Sequence, residues 1–110
     1  MQGLQKQISI TFFQTLEDLK SKENLALFFA DFLTEKEHES LIKRLAIAYW
    51  LHKKRDYENI KTNLNVTLKE IEEVEKKLDS NGYKLALKFM EAEEWANVWS
   101  EKIKQLSTQK

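Results

Sequence analysis

At 110 residues the chain holds one domain's worth of sequence, and its 42% apolar and 33% charged residues exclude a disordered polyampholyte. There is no cysteine, no proline and only two glycines, which excludes a disulfide framework and a thiolate zinc site and favours an all-α fold. Eighteen basic residues balance eighteen acidic ones, so any electrostatic partner must be met by a local patch rather than by overall charge.

From Leu4 to about Lys20, Leu4, Ile8, Phe12, Leu16 and Leu19 recur at helical spacing, with Phe13 widening the stripe. This predicts one amphipathic helix. The polar run Ser21-Lys22-Glu23-Asn24 breaks it, and a second helix is expected from about Leu25 to Leu33. Leu25, Leu27, Phe28, Phe29 and Phe32 make that helix apolar around its circumference, so it needs cover on more than one side. Thr34 and Glu37 form a capping box that starts a third helix. Its expected core face is Leu41, Leu45, Ala48 and Leu51, with Ile42, Tyr49 and Trp50 on the flanks.

Two short helices follow. Asp56 is a good N-cap for a helix carrying Tyr57, Ile60 and Leu64. Thr67 and Glu70 make a second capping box, for a helix whose core face is Leu68, Ile71, Val74 and Leu78. Only Asn65-Val66 separates them, so the chain must turn sharply there. That is the sequence outline of a helix-turn-helix. Gly82 is expected to close the second helix in the left-handed conformation.

The last helix is expected from about Tyr83 to Leu106. Leu85, Phe89, Ala92, Ala96, Trp99, Ile103 and Leu106 fall at alternating spacings of four and three, the seam of a helix packed along a nearly parallel neighbour. Trp95 and Val98 add a second edge, and the tail from Ser107 to Lys110 is polar. The neighbour along that seam is either the chain's own first helix or a second copy; the large apolar residues at both ends exceed what a monomer of this size hides, so a homodimer is expected.

Charge is unevenly spread. Residues 34 to 55 hold six basic against three acidic side chains, ending in Lys53-Lys54-Arg55, and residues 67 to 80 hold three basic against five acidic. The first patch suits DNA phosphates, although basic residues also favour the last turn of any helix.

Leu33-Thr34-x-x-Glu37, Leu41-x-x-Arg44-Leu45-x-Ile47-Ala48-x-x-Leu51, Tyr57-x-x-Ile60 to Leu64, and then Thr67 together resemble the Trp repressor superfamily over residues 30 to 85. The likeness is to the small regulators of that group rather than to the tryptophan-responsive repressor. It implies a six-helix, all-α, intertwined homodimer that binds double-stranded DNA through a helix-turn-helix. Residues 1–33 and 83–110 would then dimerise, 34–55 form the central helix, and 56–82 the helix-turn-helix. The resemblance puts Lys53, Lys54, Arg55, Lys61 and Lys69 on phosphates, and Thr67, Glu70 and Glu72 near bases. It also puts Arg44 at a possible effector pocket, where the relatives stack an arginine on the ligand's indole. The second ligand arginine of that pocket is matched by Glu73, and the small residue after it by Val74. A glutamate there repels a carboxylate, so tryptophan is not the expected effector.

The second short helix shows Glu72, Glu73 and Glu75 where an approach to phosphate wants cations. A different reading therefore stands beside the first: a protein-interaction module that has lost DNA binding and meets a basic protein partner. An enzyme is not expected, and no metal or cofactor. His38 and His52 lie fourteen residues apart, on the order of 21 Å along one helix, too far to share an ion. Glu35 and His38 fit a single Glu-x-x-His motif, and a di-iron site needs two. With no signal peptide and no apolar run long enough to cross a bilayer, a cytoplasmic protein without membrane contact is expected.

Overall fold

The computed structural model describes residues 2–92. Among them are six helices and no strand: α1 (Gln2–Leu19), α2 (Lys22–Phe32), α3 (Glu35–His52), α4 (Tyr57–Leu64), α5 (Leu68–Lys77) and α6 (Asn81–Ala92). None is long and apolar enough to cross a membrane. The chain divides into two compact units, residues 1–41 and 42–110, with the boundary inside α3.

In the first unit α1 and α2 form a helical pair. Lys20 turns the chain in the left-handed region at φ 62°, and the Asn24 amide nitrogen donates to the Leu19 carbonyl at 2.9 Å. Ser21, whose hydroxyl accepts from the Asn24 N–H, caps α2. The helix therefore begins three residues earlier than its first leucine suggested, because the polar run is a cap and first turn rather than a break. Phe12 meets Phe28 with ring centroids 6.2 Å apart, and Phe28 stacks on Phe32 at 4.1 Å. From residue 3 to residue 45 nothing is buried. Phe32 is 70% exposed and Leu27 nearly as much.

α3 opens as its cap predicts. The Thr34 hydroxyl accepts from the Glu37 N–H at 3.1 Å, and the Glu37 carboxylate accepts from the Thr34 N–H at 2.9 Å.

The second unit holds the core: Ile47, Ala48, Tyr49, Trp50 and Leu51 of α3, Ile60 of α4, Ile71 and Val74 of α5, and Leu87 and Met90 of α6, with Val66 from the turn. Ile47, Ile60 and Ile71 are essentially inaccessible to water, one from each of three helices. Six consecutive residues of α3, Ala46 to Leu51, are buried, so this end of the helix is enclosed around its circumference. That corrects the expected face: Leu41, Ile42 and Leu45 are exposed, and the core lies at the C-terminal half of α3.

Three further expectations change. Leu68 sits first in α5, beside its cap, and is 46% exposed rather than core. Gly82 does not close α5. That helix ends at Lys77, Leu78 caps it in the right-handed region, and Gly82 lies in the first turn of α6 without a positive φ. On α6 the core residues are Leu87 and Met90, while Leu85 and Phe89 of the heptad seam are exposed, Phe89 by 59%. The rest of that seam, Ala96 to Leu106, lies outside the described residues, as do Trp95, Val98 and the tail.

Candidate nucleic-acid interface

The α4–α5 pair is built by three local devices and two longer ones. The Asp56 carboxylate accepts from the Asn59 N–H at 2.8 Å, capping α4. Asn65 ends α4 in the left-handed region (φ 54°, ψ 53°), a conformation its short amide side chain tolerates better than most. Thr67 and Glu70 exchange hydrogen bonds as a full capping box: the Glu70 N–H donates to the threonine hydroxyl at 3.1 Å, and the Thr67 N–H to the Glu70 carboxylate at 2.9 Å. Buried Val66 anchors the turn between them. Beyond these, the Lys43 ammonium donates to the Asn65 carbonyl at 3.3 Å, tying α3 to the turn. The Tyr57 hydroxyl donates to the Glu75 carboxylate, tying the start of α4 to the last turn of α5. That bond raises the Tyr57 phenol above its ordinary pKa, because the neutral hydroxyl is the donor, and desolvation adds to it.

The basic run before α4 is also a defined turn. The Arg55 N–H donates to the Trp50 carbonyl and the Lys54 N–H to the Leu51 carbonyl, both at 3.0 Å, with Lys54 left-handed at φ 66°. This is a Schellman ending with lysine where glycine is usual. The Arg55 guanidinium lies over the Trp50 ring, 4.3 Å from its centroid, and donates to Asn59 Oδ1 at 2.9 Å. The Lys53 ammonium reaches Glu91 at 3.2 Å and lies 5.5 Å from the Tyr49 ring centroid. His52 Nε2 meets the same Glu91 oxygen at 2.9 Å. The hydrogen bond from Lys53, then that from His52, holds the Glu91 carboxyl below its ordinary range. The bond to Glu91, and then Tyr49, holds the Lys53 ammonium above its own.

The sequence-derived candidates therefore fall into three groups. Lys53, Lys54 and Arg55 share one turn, with Lys53 engaged by Glu91 and Arg55 by Trp50 and Asn59. Thr67, Lys69, Glu70 and Glu72 share the first turns of α5, with Thr67 and Glu70 engaged by each other. Lys61 is exposed on the last turn of α4, and Arg44 is exposed on α3. Glu72 and Glu73 are exposed, while Val74 is buried in the core. Lys43 and Glu91 were not among the sequence-derived candidates, nor was the link from Tyr57 to Glu75. Trp50 before a lysine-rich helix end is a usable signal for the arginine stack. Tyr57 and Glu75 are eighteen residues apart, and Lys43 and Asn65 twenty-two, so no local pattern marks either pair.

No curated protein and no solved structure matches the chain. Residues 8–91 match a protein-family model described as Trp repressor protein.

Proposed function

The chain belongs to the Trp repressor family, a family of DNA-binding regulators rather than enzymes, and on that premise we propose that it is a dimeric, cytoplasmic regulator that sets α5 into the DNA major groove. The observation that carries this reading is the α4–turn–α5 unit, capped at both helix starts and fastened through Tyr57 and Glu75. Lys53, Lys54, Arg55, Lys61 and Lys69 contact phosphates, and Thr67 and Glu72 lie near base edges. Glu70 stands beside them, but its carboxylate already holds the Thr67 cap, so its part is to set the helix start.

Tryptophan is not the effector in this reading. At the position the family uses for a second ligand arginine, Glu73 repels a carboxylate, and the bulk of Val74 belongs to the core. Arg44 remains the residue of α3 from which a different effector would be read.

The homodimer rests on exposed apolar surface. Phe13 and Phe32 of the first two helices, Leu41 and Ile42 of α3, and Leu85 and Phe89 of α6 are all open to water in the single chain. So many uncovered large side chains favour a second copy. In this scheme residues 1–33 and 83–110 dimerise, 34–55 form the central helix, and 56–82 present the DNA-reading pair.

A second reading is favoured by one observation, the exposed Glu72 and Glu73 on α5. With these carboxylates outward, the same helix suits a basic protein partner. Fluorescence anisotropy of mixed-sequence duplexes at two salt concentrations decides between them. Binding with a salt-dependent midpoint supports the regulator. Absence of binding at low salt, up to about 10⁻⁴ M protein, removes it and leaves the interaction module.

A further inference from the structure

The last turn of α3, the α5–α6 link and α6 border an open cleft of about 640 Å³, within the size range of small-molecule sites. Its floor is apolar: Leu51 and Leu87 are buried and Leu78 is half-buried. Its rim is basic: Lys54 projects from the left-handed turn after α3, and Lys84 and Lys88 lie one turn apart on α6. None of these three lysines forms an ion pair among the described residues.

Two carboxylates also line the cleft, Asp79 and Glu91. Glu91 is engaged by Lys53 and His52, so its charge is already matched. That leaves three ammonium groups against Asp79. An excess of positive charge around an apolar floor is complementary to a particular kind of molecule. A bare inorganic anion would satisfy the rim and leave the leucines wet. An uncharged hydrocarbon would cover the leucines and leave the lysines unmatched.

We propose that this cleft is a binding site for a small apolar carboxylate, with the carboxylate held by Lys54, Lys84 and Lys88 and the apolar body lying over Leu51, Leu78 and Leu87. The site borders both links that flank the α4–α5 pair. Lys54 precedes the Asp56 cap of α4 by two residues, and Leu78 is the C-cap of α5. A ligand bridging Lys54 to α6 favours one setting of that pair over others and so biases whatever the pair binds. This regulatory consequence rests on the DNA-binding reading above; occupancy of the cleft does not.

The test is an amide chemical-shift titration of the full ¹⁵N-labelled chain with sodium octanoate, and with sodium acetate in parallel. The expected result is saturable shifts at residues 51–54, 78–79 and 84–88, with octanoate binding at least about tenfold tighter than acetate because only its chain covers the leucines. Substituting glutamine at Lys54, Lys84 and Lys88 together weakens octanoate about tenfold or more, with other amide shifts retained. If the triple variant loses its dispersed spectrum, the single variants Lys84→Gln and Lys88→Gln carry the same comparison. No saturable shifts, shifts centred on Phe12, Phe28 and Phe32, equal affinity for acetate, or octanoate affinity unchanged by the lysine substitutions each overturn the proposal. Duplex anisotropy with and without octanoate separates the two readings: cleft shifts without DNA binding would overturn only the regulator.

Discussion

The Tyr57 hydroxyl donates to the Glu75 carboxylate, so the first residue of α4 holds the last turn of α5 across eighteen residues of chain. Tyr57→Phe is expected to lower the urea midpoint slightly and to loosen the pair without unfolding the unit. The link also has a pH signature. The phenol's pKa is raised above its ordinary value of 10.0, so the bond's contribution is complete below that value and is lost as pH rises through the higher folded pKa. Wild type should lose stability at strongly alkaline pH more steeply than Tyr57→Phe, as read by urea melts at graded pH.

Thr67→Ala removes the acceptor for the Glu70 N–H and breaks the capping box. A loss of about 1 kcal/mol is expected, measured by urea denaturation, and amide exchange should speed in the first turn of α5. If Glu70 serves only the cap, Glu70→Gln weakens DNA binding far less than Lys69→Gln does. Anisotropy at fixed salt compares the two.

Lys54 occupies a left-handed turn that glycine adopts without steric cost. Lys54→Gly is therefore expected to stabilise the chain by up to about 1 kcal/mol, seen as a Tm a few degrees higher. A lower Tm would mean that the lysine side chain contributes more than its backbone strain removes.

Glu91 ties α6 to the end of α3 through His52 and Lys53. Its folded pKa is held below the ordinary 4.5, so its stabilising contribution is present above that pH and is lost as pH falls through the lower folded value. Unfolding midpoints measured from pH 5 down to about pH 3 should fall more steeply for wild type than for Glu91→Gln. Equal slopes would show that the link contributes nothing in solution.

Phe32 is among the most exposed large apolar residues and stacks on Phe28 within its own helix. Phe32→Glu is expected to shift the protein from dimer to monomer in sedimentation velocity, while the far-ultraviolet signal of the second unit persists. A dimer unchanged by this substitution would place the interface elsewhere.

How far the sequence could be read depended on whether the signal was local. Both capping boxes and the Asp56 cap are short-range chemistry, and each appears in the structure as its residues predict. The Asn65-Val66 turn follows from them. Glycine misled, because its left-handed preference is a tendency. Among the described residues the left-handed ones are Lys20, Lys54 and Asn65, while Gly82 is helical. Periodicity misled where a helix is apolar on two sides. On α6 the seam through Leu85 and Phe89 and the face through Leu87 and Met90 are both hydrophobic, and only packing decides which one the core takes. α3 failed for the same reason, since six buried residues in a row carry no period. The helix starts and the turn that carry the candidate residues were legible, but the engagement of Lys53, Asn65 and Tyr57 was not, because their partners all lie far along the chain.

The α1–α2 pair has no fully buried side chain among the described residues, and its phenylalanines are half-buried or exposed. If a second copy covers the pair, as proposed above, that cover is filled in proportion to how many copies exist. On that proposal cellular abundance becomes an input: a scarce chain would carry an unfinished scaffold, and a plentiful one would complete it.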